Sequence, residues 1–445
     1  MKPRDFPSTP STPHRIVIVG GGAGGLALAT RLGDRYGRRG GAKITLVDAS
    51  MTHLWKPKLH EVAAGTLDAH DDELDYLAQA RWHHFEFLLG RMDGLNRAAR
   101  TLHLAPTVDR RSEVLIPART ISYDTLVIAV GSVTNDLGVK GVSQHCDYLD
   151  TRDQADRFQH RFLDQFLRAQ TREGPLREGQ LSVAIVGAGA TGVELAAELR
   201  HVSRQLVHYG MDQVDPESDA RLVLIEASDR LLPALPARLS AAAESSLRAL
   251  GVTIYKNTFV DRVTSDGVHT RDGLFIPARM KIWAAGVKAP DWLRDLDGLE
   301  TNRNSQLVVR TTLQTTRDDN VFALGDCAAC PLDGEGHLVP PTAQAAHQQA
   351  SLLIRSLSAR LEGRPMHEFR YRDHGSLVTL SRYTTVGNLM GRVLGSVMVE
   401  GWVARMVYLS IHRQHQRAVL GTARACLLLF ADMITRSVRP RTMLH

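Results

Sequence analysis

Two stretches of this chain have the residue types and the spacing to hold a diphosphate. Gly20, Gly22 and Gly25 follow the apolar run 16–19 at the spacing G-x-G-x-x-G, and Gly187, Gly189 and Gly192 follow 181–186 at the same spacing. Backbone N–H groups at a glycine-rich turn that opens a helix bind phosphate oxygens without a cationic side chain. An acid at the end of the next strand takes a ribose hydroxyl, and Asp48 and Glu226 stand at those places. A carboxylate there repels a 2′-phosphate, so Glu226 favours NADH over NADPH, with Arg221 and Arg230 nearby weakening that preference. A third feature, Gly325-Asp326, ends the apolar run 321–324. Asp326 has two compatible roles there, bonding a sugar-alcohol chain and capping a helix.

These residues require buried parallel strands to deliver them and small-residue helices to receive the phosphates. Runs 15–19, 43–48 and 123–131 supply the strands for the first fingerprint, and 181–186, 221–226 and 281–286 for the second. A fingerprint repeated within one chain is far more specific than a single copy, and it implies two dinucleotides on two similar domains. The expected fold is α/β, with two Rossmann-like dinucleotide-binding domains, the second inserted in the first, plus a C-terminal amphipathic helical membrane-anchoring region. The expected boundaries are a disordered leader over 1–13, the first domain over 14–150 and 291–375, the second over 151–290, and the C-terminal region over 376–445. Residues 85–122 read as an inserted β-meander, 150–179 as a polar helical connector, and 201–219 as an insertion at a helix end. The stretch 53–65 (His-Leu-Trp-Lys-Pro-Lys-Leu-His-Glu-Val-Ala-Ala-Gly) is unusual. It reads equally as a ligand loop and as a solvated loop with one buried Trp.

With 43% hydrophobic and 23% charged residues in 445, the chain has an ordinary globular composition and material for two or three domains. Four cysteines do not make a disulfide scaffold, so a reducing compartment is expected. No apolar h-region follows Met1, and no run approaches the roughly 18 apolar residues of a spanning helix. No metal-ligand spacing and no nucleophile triad stands out.

The charge of +6 is concentrated at the end of the chain. From 401 to 445 seven arginines (405, 413, 417, 424, 436, 439, 441) face one acid, Asp432. Positions 419, 423, 426, 430 and 433, widened by Leu420, Leu427 and Ile434, form an apolar stripe at helical spacing, which Leu428 and Leu429 blur. Arg424 and Asp432 would each cost about 2.5–3.5 kcal/mol at a bilayer centre, so a helix lying on anionic lipid fits better than a spanning one. A core helix or a homodimer interface is the bland alternative. A nucleic-acid-binding tail is disfavoured, because phosphate-binding tails seldom carry an apolar stripe.

Taken together, the two fingerprints, Asp48, 123–131 and Gly325-Asp326 resemble the two-dinucleotide-binding flavoproteins. Within them, 53–65, 283–286, 341–348, 371–380 and 401–417 are most similar to bacterial type II NADH dehydrogenases, the non-pumping NADH:quinone oxidoreductases. The resemblance runs from about residue 14 to the C-terminus. It implies FAD at Gly20, Gly22, Ala23, Gly24, Gly25, Asp48, Lys56, Ala129, Gly131, Gly325, Asp326 and Ala343, and NADH at Gly187, Gly189, Gly192, Glu226, Ala285 and Gly286. It implies that Gln344 and Gln348 line the quinone pocket and that Glu194 handles protons. As bare residues these are two solvated glutamines one helical turn apart and an acid favoured by a helix N-terminus. The implied activity is hydride transfer from NADH to FAD and then two electrons to a membrane quinone, without proton pumping, on the cytoplasmic face of the plasma membrane. The alternative is a soluble FAD-dependent NAD(P)H reductase with another acceptor. Disulfide reductases and sulfide:quinone oxidoreductases need flavin-facing cysteines, and none lies before Cys146 or between Cys146 and Cys327. Cys327-x-x-Cys330 is wrongly placed for dithiol relay, and two reduced thiols are the expected state.

Overall fold

A computed structural model describes residues 13–109, 111–380, 384–391 and 395–400, together with Gly421 and Leu427. The amphipathic stripe and the arginines of the C-terminal region lie outside the described residues, save for Leu427.

In chain order, strand β1 (His14–Val19) runs into helix α1 (Ala23–Leu32), followed by β2 (Ala42–Asp48), the short helix α2 (Leu59–Ala64), β3 (Glu86–Leu89), β4 (Thr125–Ile128) and α3 (Arg152–Gln170). The pattern then restarts with β5 (Val183–Val186), α4 (Ala190–His208), β6 (Leu222–Ile225), β7 (Thr253–Tyr255) and β8 (Met280–Trp283). Strand β9 (Val321–Ala323) and helix α5 (Ala343–Leu361) follow.

The chain divides into two compact units, Met1–His53, Leu74–Ser132 and Lys288–Tyr371 in the first, and Leu54–Glu73, Val133–Val287 and Arg372–His445 in the second. In the first, a parallel sheet has the order β9-β4-β1-β2-β3. Its central strands are buried along nearly their whole length, as a parallel sheet covered on both faces demands. In the second, the parallel order is β8-β5-β6-β7. Strand by strand this repeats β4-β1-β2-β3, so the duplication read from the glycines extends to whole sheets. Each unit also carries a three-stranded antiparallel sheet just before its fourth strand, at Met92–Asn96, Thr101–Leu104 and Arg119–Ser122 and at Val260–Val263, Gly267–Thr270 and Phe275–Pro277.

Several expectations change. The antiparallel insert begins at Met92, because Glu86–Leu89 joins the parallel sheet beside β2. The first unit gives way to the second at Ser132 rather than at 150. Beyond it, Thr134 bonds Asp150 through both its N–H and its hydroxyl, and Trp283 Nε1 donates to Asn135 O at 2.8 Å. Helix α3 is no solvated connector. A capping box at Thr151 and Gln154 starts it, and Ala155, Phe158, Phe162 and Phe166 recur every three or four residues on a buried face. Truncating one of those phenylalanines to alanine costs about 3–5 kcal/mol. The described residues of 376–400 are strands, since Gly375–Leu380, Thr384–Gly391 and Gly395–Glu400 pair as an antiparallel sheet. Their β-branched runs, such as Thr384-Thr385-Val386, suit a pleated strand better than a helix.

Candidate functional site

In the first glycine loop two positions must be glycine for reasons internal to the protein. Gly20 has φ +100°, and a Cβ there would lie 2.4 Å from the Ala129 carbonyl oxygen. A Cβ on Gly25 would fall 1.9 Å from the Gly20 carbonyl oxygen, so a side chain would push α1 off the turn. Gly24 is tight as well, with the Leu324 side chain and the Ala346 carbonyl of α5 against it. Gly22 differs. Its backbone is ordinary (φ −62°), and among the described residues a Cβ would meet no atom within 4 Å. It is the N-cap of α1 without a side-chain capping bond, and the first turn holds no acid. The helix therefore presents unsatisfied N–H groups and a positive dipole end over open space.

Asp48 braces this loop, its Oδ2 accepting from Gly21 N at 2.6 Å and its Oδ1 from Ser50 N at 2.8 Å. Burial pushes its carboxyl above the usual range, against the pull of those bonds. Tyr76, buried, donates from its hydroxyl to Gly21 O at 2.8 Å. The sequence holds no local sign of Tyr76, which sits in a short helix far from the loop.

The second loop repeats the steric pattern of the first. Gly187 has φ +102° and would clash with Ala284 and Ala285, Gly192 would strike the Gly187 carbonyl oxygen at 2.0 Å, and Gly189 faces open space. Gly189 is the uncapped N-cap of α4, with no acid in the first turn. Glu226 takes the role of Asp48, its Oε2 accepting from Ala188 N at 2.7 Å and its Oε1 from Ser228 N at 2.8 Å. Arg230 is turned to the Pro233 carbonyl at 2.9 Å. Gly131 (φ +71°) and Gly286 (φ +83°) follow β4 and β8 at matching places, and a Cβ on Gly131 would also meet nothing.

Asp326 lies in a single 3-10 turn, Gly325–Cys327, and accepts from Ser132 Oγ at 2.7 Å. The expected long helix starts only at Ala343, capped by Thr342 through Ala345 N at 3.1 Å. On α5, Gln344 Oε1 accepts from Gln348 Nε2 at 3.4 Å and from the Tyr371 hydroxyl at 3.3 Å. Gln349, one position further and not anticipated, is buried and accepts from Gly325 N at 2.6 Å, tying α5 to the Gly-Asp turn. Its place on the face with Ala345, Ala346, Leu352 and Leu353 is the signal that could have found it.

Cys327 and Cys330 are buried, with Cys327 Sγ near the Leu324 carbonyl at 3.3 Å. Burial pushes both thiols up to about 12. At pH 8 a thiol with that pKa is thiolate in roughly one part in ten thousand, and the thiolate is the reactive form. Iodoacetamide at pH 8 should leave both unmodified in the native protein and label them once the chain is unfolded, as read by peptide mass spectrometry. Labelling of either at a free-thiol rate in the native state would contradict the burial argument.

In the second unit, 54–73 is neither a free loop nor solvated. Lys58 pairs with Asp72 at 2.5 Å, Lys56 with Asp150 at 3.3 Å, and Trp55, Lys58 and His60 are buried. Glu194, one turn into α4 and 6% exposed, lies with its Oε2 3.5 Å from Nδ1 of the 3%-exposed His60. That His60 is the partner was not legible, because α2 and α4 are distant in sequence. Asp333, Glu335 and His337 bring ligand atoms within 4.8 Å of one another on an exposed loop, where His337 Nδ1 already meets Asp333.

Paired parallel sheets, each with an uncapped glycine-loop helix, and a Gly-Asp turn after a further strand define the class of two-dinucleotide oxidoreductases. Residues 14–350 match the family described as pyridine nucleotide-disulphide oxidoreductase. The type II NADH:quinone oxidoreductase of Haemophilus influenzae is 44% identical over 97% of this chain and 99% of its own length. The type II NADH:quinone oxidoreductase Ndh of Mycobacterium tuberculosis is 29% identical over 93% of this chain and 86% of its own. Among solved structures, NDH2 from Plasmodium falciparum in complex with NADH shares the fold at TM-score 0.81, 18% identity and coverage of 97% and 100% of the two chains. The chain belongs to the type II NADH:quinone oxidoreductases of that family.

Proposed function

We propose that the glycine loop at 20–25 holds FAD and the one at 187–192 holds NADH, within an enzyme that oxidises NADH and reduces quinone. The observation that carries this is the pair of middle glycines, Gly22 and Gly189, which no atom of the described residues requires to be glycine. When bound, FAD accepts the hydride of NADH and returns two electrons to quinone. The chain supplies binding, orientation and proton handling.

The N–H groups at the starts of α1 and α4 take the two diphosphates, reached through Gly22, Ala23, Gly24 and Gly25 and through Gly189 and Gly192. Asp48 and Glu226 keep lone pairs for ribose hydroxyls while holding their loops closed, and Glu226 turns away a 2′-phosphate. Asp326, oriented by Ser132, takes a hydroxyl of the flavin's sugar-alcohol chain. Ala129, Gly131 and Lys56 complete the FAD site, and Ala285 and Gly286 the nicotinamide end of the NADH site. Ala343, Gln344 and Gln348 border the quinone.

Glu194 holds a proton for quinone reduction at Oε2 and shares it with His60 Nδ1. Glu194→Gln should lower kcat with quinone on the order of 100-fold, while NADH reduces the flavin at the parent rate in single-turnover absorbance. Slowed flavin reduction with unchanged quinone turnover would count against this role.

Among the described residues no helix is long and apolar enough to cross a membrane. The arginine-rich residues 401–445 rest on anionic lipid at the cytoplasmic face of the plasma membrane, each arginine contributing on the order of 1 kcal/mol near the surface. Full-length protein should float with phosphatidylglycerol vesicles and sink in high salt, whereas a chain stopped near residue 400 should sink in both. Equal flotation of the two would remove the lipid claim.

A further inference from the structure

We infer that the second unit carries a binding site for a nucleoside polyphosphate that is separate from its glycine loop. The site is a cavity of about 630 Å³ whose lining includes Arg168, Arg177 and Arg279 and none of residues 187–192. That volume falls within the roughly 300–1,000 Å³ typical of small-ligand sites.

The three arginines are the first part of the argument. Among the described residues their exposed guanidinium groups make no ion pair and no side-chain hydrogen bond. Two carboxylates, Glu178 and Asp266, line the same cavity and neither pairs with these arginines. Three like charges around one hollow, held off the acids beside them, leave an arrangement that an anion completes. Guanidinium forks match phosphate oxygens two bonds at a time.

The frame is built. Arg168 stands in the last turn of α3. The turn 177–180 is closed by Gln180 N donating to Arg177 O at 3.0 Å, and by Arg177 N donating to Gln180 Oε1 at 3.1 Å. Gly179 (φ +75°) packs so tightly on Pro277 that a Cβ would lie 2.9 Å from its carbonyl carbon, and Arg279 N donates to Gly179 O at 3.0 Å. The backbones of Arg177 and Arg279 are thus tied to one another through this turn.

The remaining lining selects the rest of the ligand. Phe275, 43% exposed, lines the cavity and meets the His269 ring at 4.7 Å in a tilted contact, giving the cavity an aromatic wall. A base stacks on such a face. Glu178 and Asp266 can only accept hydrogen bonds when ionised, which suits ribose hydroxyls and a base amino group. Cations for phosphates, an aromatic for a base and acceptors for a sugar describe a nucleoside polyphosphate better than a simple dicarboxylate.

The test is calorimetric titration of ADP into the FAD-loaded full-length protein and into its Arg168→Ala/Arg279→Ala variant. The variant should lose one equivalent of bound ADP, or hold that equivalent at least tenfold more weakly, whether or not the glycine loop also takes ADP. Its NADH:quinone turnover should stay at the parent level, which keeps this outcome apart from any failure of the catalytic assignment and shows that the variant folds. Phe275→Ala should weaken ADP but leave inorganic pyrophosphate unchanged. Identical ADP stoichiometry and affinity in parent and double variant would overturn the site, and a Phe275→Ala variant binding ADP as the parent does would overturn the nucleoside assignment.

Discussion

Gly189→Asp should purify yellow, melt no lower than the parent, and fail to oxidise NADH. The position has extended backbone (φ −70°, ψ −175°) and no atom of the described residues within 4 Å of a Cβ, so the side chain meets no clash among them. Aspartate is among the best N-caps and complements the helix dipole, so stability should hold or rise by about 1 kcal/mol. The same carboxylate occupies the N–H groups that the diphosphate needs and repels its charge. Each lost charge-assisted bond is worth about 1.5–3 kcal/mol, so two of them lower kcat/KM for NADH by roughly a thousandfold. Stability and activity therefore part company, which a merely structural glycine would not allow. Gly192→Ala should behave oppositely and fail to fold well, because its Cβ would sit 2.0 Å from the Gly187 carbonyl oxygen. A Gly189→Asp protein that turns over NADH normally would refute the assignment of this loop.

Gly22→Asp is the matching change in the first loop, and it should give a colourless protein. The conformation (φ −62°, ψ −172°) and the open surroundings are the same, so the chain again folds without a clash. Here the introduced carboxylate competes with the FAD diphosphate. The purified variant should lack flavin absorbance and all quinone reductase activity, while NADH still binds at 187–192 and can be followed by its own fluorescence. The two variants assign one cofactor to each loop by what each loses. Loss of colour from Gly189→Asp, with Gly22→Asp still yellow, would exchange the assignments.

Features set by local spacing were legible in the sequence: both glycine loops, Asp48, Glu226, the Gly325-Asp326 turn and the duplicated α/β plan. The glycines of each fingerprint lie a few positions apart, and the acids and strands recur in a fixed order along each half of the plan. What escaped depends on contacts between distant segments. Tyr76 reaches Gly21, Gln349 reaches Gly325, Ser132 reaches Asp326 and His60 reaches Glu194, and only Gln349 carried a periodic signal, its place on the buried face of its helix. Helix α3 misled because its arginines and aspartates outnumber Phe158, Phe162 and Phe166, although those three carry its packing. The strands over 375–400 were absorbed into a helical reading made on residues further along. The stretch 53–65 looked odd for a physical reason, since both of its lysines are paired with aspartates and Trp55, Lys58 and His60 are buried.

The most direct measurement is flavin absorbance in a stopped-flow cell. NADH mixed anaerobically with the purified enzyme should bleach the yellow band, and a soluble quinone added next should restore it, with NADPH far slower in the first step. Protein that carries no flavin and takes none up, or a bleached band that quinone leaves unchanged, would contradict an NADH:quinone oxidoreductase built on these two loops.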